Sequence, residues 1–112
     1  MKSNTEINEL VAKALGFTPF NDGVVSGWNY PTRDEVRGSQ YFKLPDFCES
    51  LDACEKWIEP QCESTIMLIY KKLSTVTVRV NIETTYRECM YTAESTAKAW
   101  CLAFLEAKRV EV

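Results

Sequence analysis

The sequence lacks several features on which catalytic and cofactor sites depend. It contains no histidine, which excludes Ser-His-Asp and Cys-His catalysis, imidazole metal sites and a histidine pH switch. Its glycines are scattered at predicted turns, so no glycine-rich phosphate-binding loop is present. No two cysteines have C-x-x-C spacing, which argues against a zinc knuckle or a thioredoxin-type redox pair. The sequence therefore predicts no enzymatic activity, no metal and no cofactor.

Long apolar runs and an excess of positive charge are also missing. No segment approaches the roughly 18 consecutive apolar residues of a membrane span, and residues 1–6 lack the apolar run of a signal peptide. We therefore expect a cytosolic protein with no membrane partner. The net charge of -3 disfavours nucleic-acid binding, because neutralising phosphates requires an excess of basic residues. In a reducing cytosol the five cysteines are expected to act as small buried hydrophobes.

The residues that are present suit one α+β domain spanning residues 1–112, with 46% hydrophobic residues available for a core. We predict a small antiparallel sheet packed between helices, in the manner of an α-β-α sandwich. The predicted elements are helix 4–15, an irregular hairpin 24–44, helix 51–59, strands 65–71, 75–82 and 86–92, and helix 93–108.

Local signals support these elements to different degrees. Ser3 and Glu6 form a capping box at the start of the first helix, and Gly16 follows its last apolar residue. Apolar and polar residues alternate along 75–82, which indicates a half-buried strand. The segment 60–73 fits a helix or a strand, and we choose the strand because β-branched residues recur in it. The last helix is predicted to be capped by Thr92.

Short blocks spread along the chain carry a resemblance to a known family. They are Glu9-Leu10-Val11-Ala12 with Gly16-Phe17, Gly27-Trp28 with Tyr30-Pro31, Leu44-Pro45-Asp46-Phe47 leading to Ser50-Leu51-Asp52-Ala53-Cys54, and Ala97, Cys101 and Ala103-Phe104-Leu105 at helical spacing. In this order the blocks resemble the phage ABA sandwich domain of small phage and prophage proteins. The resemblance implies an antiparallel sheet between helical layers and a phage origin. It brings no established catalytic residues, and the segment 59–91 departs most from it.

An acidic segment is the first candidate for a binding surface. Between Asp46 and Glu63 six acidic residues stand against one base, Lys56, for a local charge of -5. This charge suits a solvated helix face, a surface for a basic partner, or a cation site. We favour the solvated face, and a partner over a metal ion because no EF-hand spacing is present. The residues that would contact a partner are Glu49, Asp52 and Glu55.

Aromatic residues of the irregular hairpin form a second candidate surface. Trp28 and Tyr30, with Tyr41 and Phe42, are suited to anchor an interface. Aromatic residues in such loops more often form a small satellite core beneath the loop.

Two arginines form an alternative site for a small ligand. Arg79 and Arg87 are predicted to share one side of the strand hairpin, where they would hold a phosphate or nucleotide with Tyr86 stacking on its base. Surface solubility is the simpler role for these charges.

These features predict a small non-enzymatic phage accessory protein that acts by binding in the host cytosol. A host protein, such as a defence protein that it inhibits or modulates, is the expected partner. One alternative is a protein that sequesters a nucleotide, and another is a structural or assembly protein of the phage. The sequence leaves homo-oligomerisation open.

Overall fold

The structure, a computed structural model, describes residues 2–21, 23, 26–31, 44–82 and 85–110. Two helices of 12 residues, a short helical segment and two antiparallel sheets account for most of these residues. In chain order the elements are α1 (Asn4–Leu15), β1 (Thr18–Asn21), β2 (Ser26–Asn29), α2 (Leu51–Ala53) with a following π-helical turn (Cys54–Ile58) and 3-10 turn (Glu59–Gln61), β3 (Ser64–Tyr70), β4 (Leu73–Ile82), β5 (Thr85–Ala93) and α3 (Thr96–Ala107).

Helix α1 has the bounds that its capping residues predict. The hydroxyl of Ser3 accepts a hydrogen bond from the backbone N–H of Glu6, and the Glu6 carboxylate accepts one from the backbone N–H of Ser3, both at 3.2 Å. At the other end Gly16 adopts φ 98°, the left-handed conformation that ends a helix. Ile7 and Val11 are buried on the inner face of the helix.

The first hairpin differs from the predicted one. Strand β2, which contains Trp28, pairs with β1 at residues 18–21, whereas the sequence predicted a partner strand at residues 40–44. Leu44 is not in a strand, and residues 40–43 lie outside the described residues. The turn signal Asn21-Asp22-Gly23 stands between β1 and β2, and a short turn closes a hairpin at a lower entropic cost than a long loop.

The second sheet is a three-stranded antiparallel meander in the order β3-β4-β5. The segment 60–73, which fits either a helix or a strand and was predicted as a strand, contains strand β3. Lys71, with φ 56°, lies in the tight turn between β3 and β4. Val76, Val78 and Val80 point to one side of the sheet and are buried, in keeping with the alternation of the sequence.

Helix α3 is the central layer of the molecule. It packs against β4 and β5 and also contacts α1 and the π-helical turn. Nine of its 12 residues are buried, because it is apolar around most of its circumference and such a helix needs cover on several sides. The mixed α+β class is confirmed. Arg79 and Asn81, on the face of the sheet that points away from α3, are exposed.

The start of α3 also differs from its prediction. Strand β5 continues to Ala93, and the hydroxyl of Thr92 lies 2.8 Å from that of Thr75 on the neighbouring strand. Ser95 therefore caps the helix in place of Thr92. Its hydroxyl accepts a hydrogen bond from the N–H of Lys98 at 3.1 Å and donates one to the Cys48 carbonyl at 3.3 Å.

We expect Ser95→Ala to lower the free energy of unfolding by about 1–2 kcal/mol, because it removes a helix cap and a half-buried contact between two parts of the chain. Ser3→Ala, at the exposed cap of α1, should cost less, about 0.5–1 kcal/mol. Urea denaturation followed by circular dichroism measures both changes. Equal losses for the two variants would show that the contact with the Cys48 carbonyl contributes nothing.

Candidate functional site

The face of the three-stranded sheet that points away from α3, here called the outer face, carries an exposed apolar surface. Directly paired residues of antiparallel strands point to the same face, so the register with β4 identifies the residues that share it. Their exposed fractions lie between 53% and 73%. The six apolar residues of the outer face are Ile66, Leu68 and Tyr70 of β3, Leu73 of β4, and Tyr86 and Met90 of β5.

The polar residues of the outer face lie mostly on the central strand β4, and some of them pair with each other. They are Ser64, Thr75, Thr77, Arg79, Asn81, Glu88 and Thr92. The hydroxyls of Thr75 and Thr92 lie 2.8 Å apart across β4 and β5. The guanidinium of Arg79 lies over the ring of Tyr86 at 4.3 Å from its centroid, in the geometry of a cation–π contact. Glu88 stands directly opposite Arg79 in the register. The outer face therefore has a net charge close to zero.

Sequence reasoning did not identify the outer face, although the signal was present. The run Ile66 to Tyr70 is apolar on both faces of its strand, which is typical of a strand buried on two sides. In a three-stranded meander, however, the first strand lies at an edge. An apolar run placed at the edge cannot be covered on both faces by a single helix, so part of it remains in water.

The structure brings together two of the three residues of the predicted ligand site. Arg79 and Tyr86 contact each other on the outer face. Arg87 pairs with Val80 on the face that α3 covers, and its Nε donates a hydrogen bond to the carbonyl of Glu106 at 3.3 Å. The expectation that Arg79 and Arg87 share a side is therefore wrong. Arg79 is the chain neighbour of Val80, and successive residues of a strand point to opposite faces. Arg79 therefore points away from the helix, whereas Arg87, the partner of Val80, points towards it.

The aromatic residues of the first hairpin pack inward. Trp28 and Tyr30 are half-buried against the core. The ring of Tyr30 lies 4.8 Å from that of Phe17 and 5.7 Å from that of Trp57. The structure thus favours the satellite-core interpretation of these residues over that of an interface anchor. Tyr41 and Phe42 lie outside the described residues.

The acidic segment lies at the surface. Glu49, Asp52 and Glu55, the predicted partner contacts, are all exposed. Asp46 accepts a hydrogen bond from the side-chain amide of Asn8 at 3.0 Å, which links the segment to α1. Over the residues that the structure describes, no three carboxylate or thiol groups converge on a point that would hold a metal ion.

Three of the five cysteines lie together in the core. Cys48, Cys54 and Cys101 are buried, and the thiol of Cys54 donates a hydrogen bond to the Phe47 carbonyl at 3.2 Å. Hydrogen bonds with the thiols of Cys48 and Cys54, together with burial, raise the pKa of Cys101 well above that of a free thiol. Burial also raises the pKa of the half-buried Cys62. The neutral thiol of Cys101 therefore acts as a small apolar group.

Comparison with known proteins shows similarity of fold. No protein-family model and no curated protein matches the chain. Among solved structures, a phage protein from Bacillus cereus ATCC 14579 has a similar fold, with a TM-score of 0.66 over 100% of this chain and 93% of that chain, at 17% sequence identity. The two proteins therefore share a fold, whereas the resemblance to the phage ABA sandwich domain stays a prediction. In the described part of the chain no helix has both the length and the apolar character needed to cross a membrane.

Proposed function

We propose that this chain is a small phage accessory protein that acts in the cytosol of an infected cell by binding a host protein through the outer face of its sheet. The fold shared with a phage protein supports the phage origin, and so does the resemblance of the sequence blocks to the phage ABA sandwich domain. The outer face supports action by binding.

The single observation that carries the binding function is the exposure of six apolar side chains on one sheet face. Each is more than half exposed, and removal of apolar surface from water favours association with a partner. Exposed apolar side chains that lie together mark interaction sites on soluble proteins. Ile66, Leu68, Tyr70 and Leu73 are neighbours on the outer face, and polar residues of β4 separate them from Tyr86 and Met90. Tyrosine, methionine and arginine, which are enriched in the cores of interfaces, are represented by Tyr70, Tyr86, Met90 and Arg79.

The composition of the outer face also indicates the class of partner. Among the described residues, Arg79 and Glu88 are the charged ones on the outer face, and they stand opposite each other in the register. A nucleotide or a nucleic acid requires a positive surface, whereas a nearly neutral surface with exposed apolar side chains matches the surface of another protein. A protein partner is therefore the proposal.

The test is a tagged pull-down from infected host cells with two matched variants. Tyr86→Lys/Met90→Lys changes the outer face, and Glu49→Lys/Asp52→Lys/Glu55→Lys reverses the acidic segment. We expect the unmodified protein and the acidic-segment variant to capture the same host protein and the outer-face variant to lose it. With that protein purified, calorimetry should show binding to the outer-face variant weakened at least about tenfold.

The other outcomes replace this proposal with a different one. Loss of the captured protein only in the acidic-segment variant would move the contact to that segment. A nucleotide released by heat, with no captured protein, would indicate a sequestering protein. Recovery of virion proteins alone would indicate a structural or assembly role. Circular dichroism of each variant establishes that it is folded before it is compared.

A protein that acts by binding and not by catalysis needs no reactive cysteine, so we expect none of its thiols to react unusually fast. In the native protein Cys48, Cys54 and Cys101 should react with a thiol reagent at neutral pH at least about 10³-fold more slowly than in urea, because they are reached only from the unfolded state. Cys62 and Cys89 are half-buried and should react first. The raised pKa of Cys62 leaves little thiolate near pH 7. A cysteine that reacts faster than a free thiol would contradict the absence of a catalytic nucleophile.

A further inference from the structure

Strand β3 lies at a sheet edge that lacks the usual protections of an edge strand. Among the described residues, β4 is its one strand neighbour. Its seven residues include no charge and no proline, and they pair with β4 in an uninterrupted register. Edge strands usually carry a lysine, a proline or a bulge that prevents pairing with another chain. The edge of β3 is therefore suited to accept a further strand.

Apolar side chains are exposed on both faces of β3. Ile66 and Leu68 on the outer face are 58% and 66% exposed, and Ile69 on the other face is 70% exposed. The second exposure arises because α3 packs on β4 and β5. A partner on the outer face alone would leave Ile69 in water, whereas a strand added at the edge shields apolar groups on both faces.

The sequence of β3 is complementary to itself in an antiparallel arrangement centred on Met67. In that register Ile66 stands opposite Leu68 of the second copy, Thr65 opposite Ile69, and Ser64 opposite Tyr70. Residues directly opposite each other point to the same face. The pairs Ile66–Leu68 and Leu68–Ile66 therefore place apolar side chains against each other on the outer face.

The charges that flank β3 favour the same arrangement. Glu63 precedes the strand, and Lys71 and Lys72 follow it. In the antiparallel register Glu63 of each copy lies beside Lys71 of the other, at both ends of the paired strands. A parallel arrangement would place like charges side by side, which destabilises strand pairing.

We propose that this chain forms a twofold symmetric dimer in which β3 pairs antiparallel with β3 of a second copy, centred on Met67. Such an interface uses the same surface of both copies, as a closed twofold dimer requires. The two three-stranded sheets become one sheet of six strands with both outer faces on the same side. The inference rests on β3 and does not depend on the proposed function.

Sedimentation equilibrium of charged variants tests the pairing. The unmodified protein should have twice its chain mass of 12.8 kDa at micromolar concentration. Ile66→Lys/Leu68→Lys places lysines opposite each other at two positions and should weaken the dimer at least about tenfold. Ile66→Glu/Leu68→Glu should do the same, and mixing the two variants should restore a dimer of one copy of each. A monomeric unmodified protein, or a mixture that stays monomeric, would overturn the proposal.

A third variant separates edge pairing from packing of two outer faces. Met90 lies on β5, two strands away from the edge of β3, and is 65% exposed on the outer face. Met90→Lys should leave the dimer mass unchanged. Loss of the dimer in this variant would replace edge pairing with a dimer in which the outer faces pack against each other.

Engineered disulfides test the register, in a background with Cys62→Ser and Cys89→Ser. In the proposed dimer the two copies of residue 67 have Cα atoms about 4.5–5.5 Å apart, within the range of a disulfide. The two copies of residue 69 are displaced by about 13 Å along the strands. Mild oxidation should therefore link Met67→Cys into a covalent dimer and leave Ile69→Cys unlinked. Linkage of Ile69→Cys without linkage of Met67→Cys would overturn the proposed register.

Discussion

Replacing Phe104 with alanine is expected to lower the free energy of unfolding by about 3–5 kcal/mol. Phe104 is fully buried on α3, the helix that packs against β4 and β5 as well as against α1. Removal of its ring loses the transfer free energy of the ring and leaves a cavity. Because the helix is held by neighbours on more than one side, the surrounding residues cannot close that cavity by a simple shift. Urea denaturation followed by circular dichroism measures the loss.

Met90→Ala provides the matched control for this substitution. Met90 is 65% exposed on the outer face, so its truncation leaves no internal cavity and should change the free energy of unfolding by no more than about 0.5 kcal/mol. If Phe104→Ala costs less than about 1 kcal/mol, α3 does not occupy the central layer of the fold. Comparison of the two variants therefore tests the layer order directly.

The elements that the sequence predicts best are those whose ends are defined by neighbouring residues. Ser3 and Glu6 determine the start of α1, and Gly16 determines its end. The alternation along β4 similarly identifies Val76, Val78 and Val80 as the buried side of the strand. These signals act over three or four residues, so they do not depend on the rest of the fold.

Features that depend on contacts between distant residues were predicted less well. Residues 40–44 were predicted as the partner strand of β2, whereas β2 pairs with residues 18–21, on the other side of the turn signal at Asn21. The burial of α3 on several sides was not predicted, because α3 was interpreted as having one apolar face. Its residues Ala99, Leu102 and Ala103 are also buried, which shows that the helix is covered on more than one side.

For the candidate site, too, local features could be predicted from the sequence, whereas features that depend on strand pairing could not. Composition could indicate the absence of histidine chemistry, and alternation could place Arg79 and Arg87 on strands. Which face each arginine occupies depends on the pairing of β4 with β5, and this register became known only from the structure. The outer face also depends on strand order, because the apolar run of β3 is exposed only when it lies at an edge of the sheet.

The aromatic cluster around Phe17 joins the end of α1 to the helical segment after α2, and we expect Phe17→Ala to cost about 3–5 kcal/mol of unfolding free energy. Phe17 is 2% exposed, and its ring centroid lies 4.8 Å from that of Tyr30 and 5.0 Å from that of Trp57. A double-mutant cycle with Tyr30→Ala should give a coupling of about 0.5–1.5 kcal/mol, since tilted aromatic pairs at this distance interact beyond their burial. Tyr86→Ala, on the outer face, should cost about 1 kcal/mol or less. Strict additivity of Phe17→Ala and Tyr30→Ala would contradict a shared cluster and would return Tyr30 to the candidates for a partner surface.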